Sequence, residues 1–296
     1  MERKTKKLIS ILLILILLSP SLTSCFKKEE ANKNQEDKIL TITEAGSKTV
    51  GQDYDKIIIQ AEGVTIEEGE VKEVIIEPSV GDGEVTIKNI KGEKLLVQGG
   101  GVNSIYLEAN SYFEQVEADR KEGPVKIHTQ SGSQIKNLVI TPDSKDVEIL
   151  GQIESLIIKA SNIDVLATKA DIGKLTIEGK NSIATIGEDS TLDEGIISSQ
   201  GEKSKIIILG KAGEVLTEAI DGQVEVTGQL GLLVVKGKSI VKVNSDIKEI
   251  QYHLGSEDSD LEIGKEAKVG LIRTETPITI SGEGEVREVI TNNKNH

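Results

Sequence analysis

Apolar residues along this chain recur in one phrase, apolar-x-x-apolar-x-apolar, written plainly at 153–158 (IESLII) and again at 172–177 (IGKLTI). The phrase opens at Tyr54, Val71, Gly92, Phe113, Ile135, Ile153, Ile172, Leu192, Ala212, Leu230, Ile247, Val269 and Val286, thirteen positions spaced 17–22 residues apart, about 19 on average. Some copies are degenerate. Gly92 and Gly195 stand where an apolar residue is expected, and Thr217, Thr274 and Thr291 close others. A shorter phrase, apolar-x-apolar, precedes each, as in Leu40/Ile42, Val64/Ile66, Val85/Ile87, Ile105/Leu107, Val125/Ile127, Val147/Ile149, Ile163/Val165 and Ile278/Ile280.

Period-two alternation in short pieces bounded by Gly, Asn and Asp predicts strands, because a helix would sustain its period over ten or more residues. Residues 111–121 read as helix in isolation, yet they fall in register with the repeat. A unit this short cannot bury its apolar side alone and must stack on its neighbours. The pattern therefore predicts an all-β chain: a single-stranded parallel β-helix of about 13 rungs of about 19 residues over 39–291, with a polar tail at 292–296. The two spacers inside the longer phrase let the chain bend, giving three strand positions per turn. At about 4.8 Å per rung the solenoid extends roughly 60 Å. Pro78, Pro124, Pro142 and Pro277 all fall between strands, where a residue without an N–H does no harm. Irregular turn lengths disagree with the strict register of a left-handed hexapeptide helix, so right-handed winding is expected, as parallel crossovers prefer.

Between two inward residues the middle one points out. In the short strands these are Thr41, Thr65, Thr86, Tyr106, Lys126, Glu148, Asp164, Glu225, Lys242, Glu262 and Thr279, a wet face with Ala184 and Ile207 as exceptions. In the longer phrase nine of thirteen are aliphatic: Ile58, Ile75, Leu96, Val139, Ile157, Ile196, Leu216, Val234 and Ile290, interrupted by Glu117, Thr176, Gln251 and Arg273. An outside face of this kind marks a partner surface or self-association. The alternative is that these side chains only stack on one another or lie under loops. The longest connections (118–124, 141–146, 198–204 and 254–260) all leave after the longer phrase and should emerge along one acidic edge, carrying Asp119, Asp143, Asp146, Glu257, Asp258 and Asp260. Calcium is one reading of that edge and solvated charge the other; no EF-hand or GGxGxD nonapeptide occurs.

The stretch QGGGVNSIYLEAN (98–110) resembles a signature of surface-layer-associated and other secreted repeat proteins of Firmicutes, in which GGG-x-NS-I precedes a short strand. The resemblance covers about ten residues closely, and where those proteins often carry His this chain has Tyr106. It implies a right-handed β-helix domain of mostly non-catalytic kind. Read physically, Gly99, Gly100 and Gly101 permit a tight corner and Asn103 can bond neighbouring rungs. A phosphate cradle would need a following helix and a GKS/T, and neither is present.

The first 24 residues read as a signal peptide: Arg3, Lys4, Lys6 and Lys7, an apolar run from Leu8 to Leu18, then Ser19-Pro20. Leu22-Thr23-Ser24-Cys25 resembles the lipobox of bacterial lipoproteins, which implies lipid attachment at Cys25, the only cysteine of the chain. Two or more acyl chains give durable anchoring, so the expected address is the outer face of the bacterial cytoplasmic membrane. The alternative is an ordinary secretory signal with an incidental Cys. Residues 25–38, polar and charge-rich, read as the lipidated Cys and a disordered tether. Loss of 1–24 leaves 31 basic against 48 acidic residues, a net charge of −17, which makes nucleic acid an unsuitable partner.

Aromatics make up 2 % of the chain and Trp is absent, so sugar-stacking platforms are few. A polysaccharide lyase of the β-helix type needs an Arg or Lys base, and a glycosidase paired carboxylates. Only Arg120, Arg273 and Arg287 follow the leader, and His128, His253 and His296 are far apart in sequence. The expectation is a non-catalytic cell-surface lipoprotein without cofactor, a rigid scaffold or binding surface for cell-wall polymer, protein partners or itself. A lyase or glycosidase is the alternative. The repeat disagrees with a two-lobed solute-binding lipoprotein.

Overall fold

The computed structural model describes residues 37–292 except Asn103 and Ser131. The signal peptide, Leu22–Ser24, Cys25, most of the tether, Asn103 and His296 lie outside the described residues, so the expectations for them stay on the sequence. The described chain forms a parallel β-solenoid of about 13 turns with one short 3-10 turn, Pro78–Val80, and no α-helix. No described helix is long and apolar enough to cross a membrane.

Each turn has three faces. Face A carries the short phrase, face B the first position of the longer phrase, and face C its last two. In Val147–Ile158 one strand runs through all three, and Val147, Ile149, Ile153, Leu156 and Ile158 are its buried residues. Five inward residues per turn follow directly from the spacing of the two phrases. Stacked turn on turn they make one continuous apolar core, with Leu156 lying between Leu138 and Leu175 and Ile158 between Ile140 and Ile177. Residues 112–118 are a strand, Tyr112–Ala118, so tertiary register overrides local helix propensity there. The long connections all run from face C to face A, as expected.

The register corrects the sequence reading in four places. Leu40 and Ile42 pair with Ile57 and Ile59 and so begin face C, while face A begins with Gly46–Gly51. Ile105 aligns with Ile127 rather than Val125, a slip of two residues that preserves which side faces in. Next, Val165 and Ala167, not Ile163 and Val165, continue the inward column of Val147 and Ile149, which turns Leu166 outward. Finally, Ala184 pairs with Val165 and is buried, so it is a core residue.

A second rule appears at the corner between faces A and B. Two residues before the longer phrase stands a small residue in every copy but the first and third, which have Gln52 and Ile90: Gly69, Ser111, Ser133, Gly151, Ala170, Ser190, Gly210, Gly228, Ser245, Ala267 and Gly284. The chain there presses against the turn below, where a Cβ on Gly210 would come within 2.2 Å of Gly187 O and one on Gly228 within 2.0 Å of Gly210 O. Serines at the corner pair backbone groups that the ladder leaves free: Ser190 Oγ accepts from Ala170 N (3.1 Å) and donates to Ala167 O (3.0 Å). The turn at 90–97 exchanges the two volumes. Ile90 is large where its counterparts are small, Gly92 lacks a side chain, and the Phe113 ring of the next turn occupies the space a Gly92 Cβ would need, 2.2 Å from its Cε1.

Candidate functional site

Face C places the nine predicted aliphatic residues in one column. The register runs Ile58, Ile75, Leu96, Glu117, Val139, Ile157, Thr176, Ile196, Leu216, Val234, Gln251, Arg273, Ile290, without a slip. The side chains stand one rung apart and cover one another, so most are half-buried. Val234 is only 8 % exposed and belongs to the floor of the column rather than its open surface.

Polar residues border this column on both sides. Toward face B run Lys56, Glu73, Lys94, Gln115, Asn137, Ser155, Lys174, Glu194, Glu214 and Glu249, broken by Leu232 and Leu271, with ion pairs Lys56–Glu73 (2.8 Å) and Lys174–Glu194 (3.2 Å). Toward the long loops, Gln60 donates to Glu77 (2.8 Å) and Gln98 to Asp119 (3.0 Å). Burial pushes the Asp119 carboxyl up, but hydrogen bonds from Thr141 and Gln98 outweigh it and hold it below the ordinary value. The charged interruptions are matched by these borders. Glu117 meets Lys94 at 2.9 Å, and Arg273 donates to Glu249 at 2.9 Å. Glu249 is held low by hydrogen bonds from Gln251 and Arg273.

On the acidic loop edge Asp119, Asp143 and Asp146 are engaged in the same way. Asp143 pairs with Lys121 at 3.1 Å, and Asp146 accepts from Asp164 N at 2.9 Å. Among the described residues no three His, Cys, Asp or Glu side chains converge on a cation position. The glycine triad has a structural use: a Cβ on Gly99 would meet Glu77 O at 2.2 Å and one on Gly101 would meet Asp82 O at 2.8 Å. Arg120, from the turn above this loop, pairs with Asp82 of the turn below it and is itself 5 % exposed. His128 lies outward on face A, its ring centroid 5.7 Å from that of Tyr106.

Face B holds a feature that the sequence reading missed. A groove crosses the first four turns, floored by Tyr54, Val71 and Gly92, with Glu70, Lys91 and Tyr112 along one wall and Asp55, Lys72, Glu93 and Glu114 along the other. Tyr112 Oη donates to Glu114 (2.8 Å), and Lys136 of the next turn pairs with the same carboxylate. Lys136 first and Tyr112 second hold Glu114 below the usual carboxylate range, while Glu114 raises the Tyr112 phenol. The residues before and after each inward face B position would have signalled these walls, but their sequence pattern is irregular.

Comparison with protein-family models, with curated proteins and with solved structures gives no match for this chain. The class is therefore defined by the fold itself: a parallel β-solenoid with one aliphatic face.

Proposed function

We propose that this chain is a non-catalytic surface protein, tethered through lipid on Cys25 to the outer face of the bacterial cytoplasmic membrane, whose rigid solenoid docks a protein partner on face C. The observation that carries the reading is the unbroken register of the aliphatic column between two mainly polar borders. An interface needs this arrangement of an apolar centre and a polar rim. Thirteen rungs at about 4.8 Å and a strip five residues wide offer roughly 800 Å², the share one partner contributes to an interface of standard size.

A second copy of the chain fits this surface. Antiparallel face-to-face packing brings the border containing Lys56 and Lys94 opposite the part of the same border that holds Glu214 and Glu249. The test is molecular mass by light scattering for the wild type and for the double variant Ile196→Lys, Leu216→Lys. The wild type is expected at the mass of two chains and the variant at one. A single-chain mass for both at high micromolar concentration contradicts self-docking through face C.

A further inference from the structure

Resting on the reading of the chain as a surface-binding scaffold, we propose that the groove over the first four turns of face B binds an uncharged glycan chain. The chain is poor in aromatics, with four tyrosines in all, yet Tyr112 stands outward on the wall of this groove and the half-buried Tyr54, packed against the core, lies in its floor; the Phe113 ring is buried beneath Gly92. Tyrosine offers a sugar ring an apolar face beside a polar tip, which suits a ligand whose own surface alternates C–H and O–H. The walls supply acceptors and donors in alternation: Glu70 beside Lys91 on one, Asp55, Lys72 and Glu93 on the other. Lys72 and Asp55 already meet at 2.7 Å, and Tyr112 is held by Glu114, which Lys136 holds in turn, so the lining is ordered before a ligand arrives.

Charge selects among glycans. Four carboxylates (Asp55, Glu70, Glu93, Glu114) face two ammonium groups (Lys72, Lys91) in the lining, on a chain with net charge −14. A polyanionic polymer is repelled by this lining and an uncharged one is not. Farther along face B the second wall is broken at Gly173, Gly213, Gly231 and Gly270, between Lys136, Glu154, Asp193, Lys248 and Arg287. No tyrosine lines that stretch, which limits the site to the first turns.

The test is native gel electrophoresis of the full, detergent-solubilised chain through gels containing hydroxyethyl cellulose, glycol chitin or polygalacturonate. An uncharged polymer is expected to retard the wild type, and Tyr112→Ala to weaken the apparent affinity at least tenfold. Tyr106→Ala, on face A, should bind as the wild type does, and polygalacturonate should leave mobility unchanged. The assignment is overturned if neither uncharged polymer retards the protein, if Tyr112→Ala binds like the wild type, if Tyr106→Ala loses as much, or if polygalacturonate is bound as well. New reducing ends released from a polymer, dependent on Tyr112, would sustain the groove while contradicting the non-catalytic reading. The Ile196 and Leu216 variant leaves the groove untouched, so the two proposals fail separately.

Discussion

Tyr252 occupies an inward position of face C between Val235 and Thr274, and its hydroxyl is buried without a hydrogen-bond partner. Burial pushes its ionisation far above the ordinary phenol range, so the group is a neutral, unsatisfied donor at every working pH. An unpaired buried hydroxyl costs more than it returns. Tyr252→Phe is therefore expected to raise the unfolding free energy by about 1 kcal/mol, read as a higher urea midpoint; a lower midpoint would mean that the hydroxyl has a partner. Single positions were legible in the sequence only where they obeyed the pattern. Gly92 reads as a lapse in the repeat, and only the packed structure shows it exchanging volume with Ile90 and Phe113. Val234 reads as one more outward aliphatic, whereas its neighbours cover it.

At the scale of the turn, the longer phrase was read in correct register because three apolar positions with unequal spacers align in only one way. The shorter phrase was not so constrained: apolar-x-apolar looks the same on face A and face C, and a slip of two residues keeps its inward side inward. That is why Leu40/Ile42 was placed on face A and why the shifts at Ile127 and Val165 went unseen. What the pattern of apolar residues could not show, the small residue two positions before the phrase could, since a corner must bring backbone against backbone. Gly210→Ala tests this. Its Cβ would meet two carbonyl oxygens, Gly187 O at 2.2 Å and Ser190 O at 2.3 Å, and neither belongs to a movable side chain. Overpacking of this kind is expected to cost about 1–3 kcal/mol in chemical denaturation, and an unchanged midpoint would show that the corner relaxes freely.

Across the whole solenoid, stability comes from the apolar column rather than from the ion pairs on its outside. Pairs such as Lys88–Glu108 (3.6 Å) and Lys242–Glu262 (3.4 Å) are solvent-exposed and each contributes about 0–1 kcal/mol at most. The aliphatic face was legible because it shares the period of the core. The face B groove was not, because it joins residues from Tyr54 to Glu114 through shape alone. Residues from separate turns stand in one outward column, and the absence of cysteine after Cys25 allows a direct test of that register. In a Cys25→Ser background, Val139→Cys with Ile157→Cys places two thiols on neighbouring rungs, about 4.8 Å apart at the backbone and within disulfide reach. Val139→Cys with Thr176→Cys places them two rungs apart, roughly 10 Å, beyond that reach. Mass spectrometry of the oxidised, digested protein is expected to find the intramolecular bridge in the first variant and free thiols in the second; a bridge in the second, or none in the first, would contradict the column.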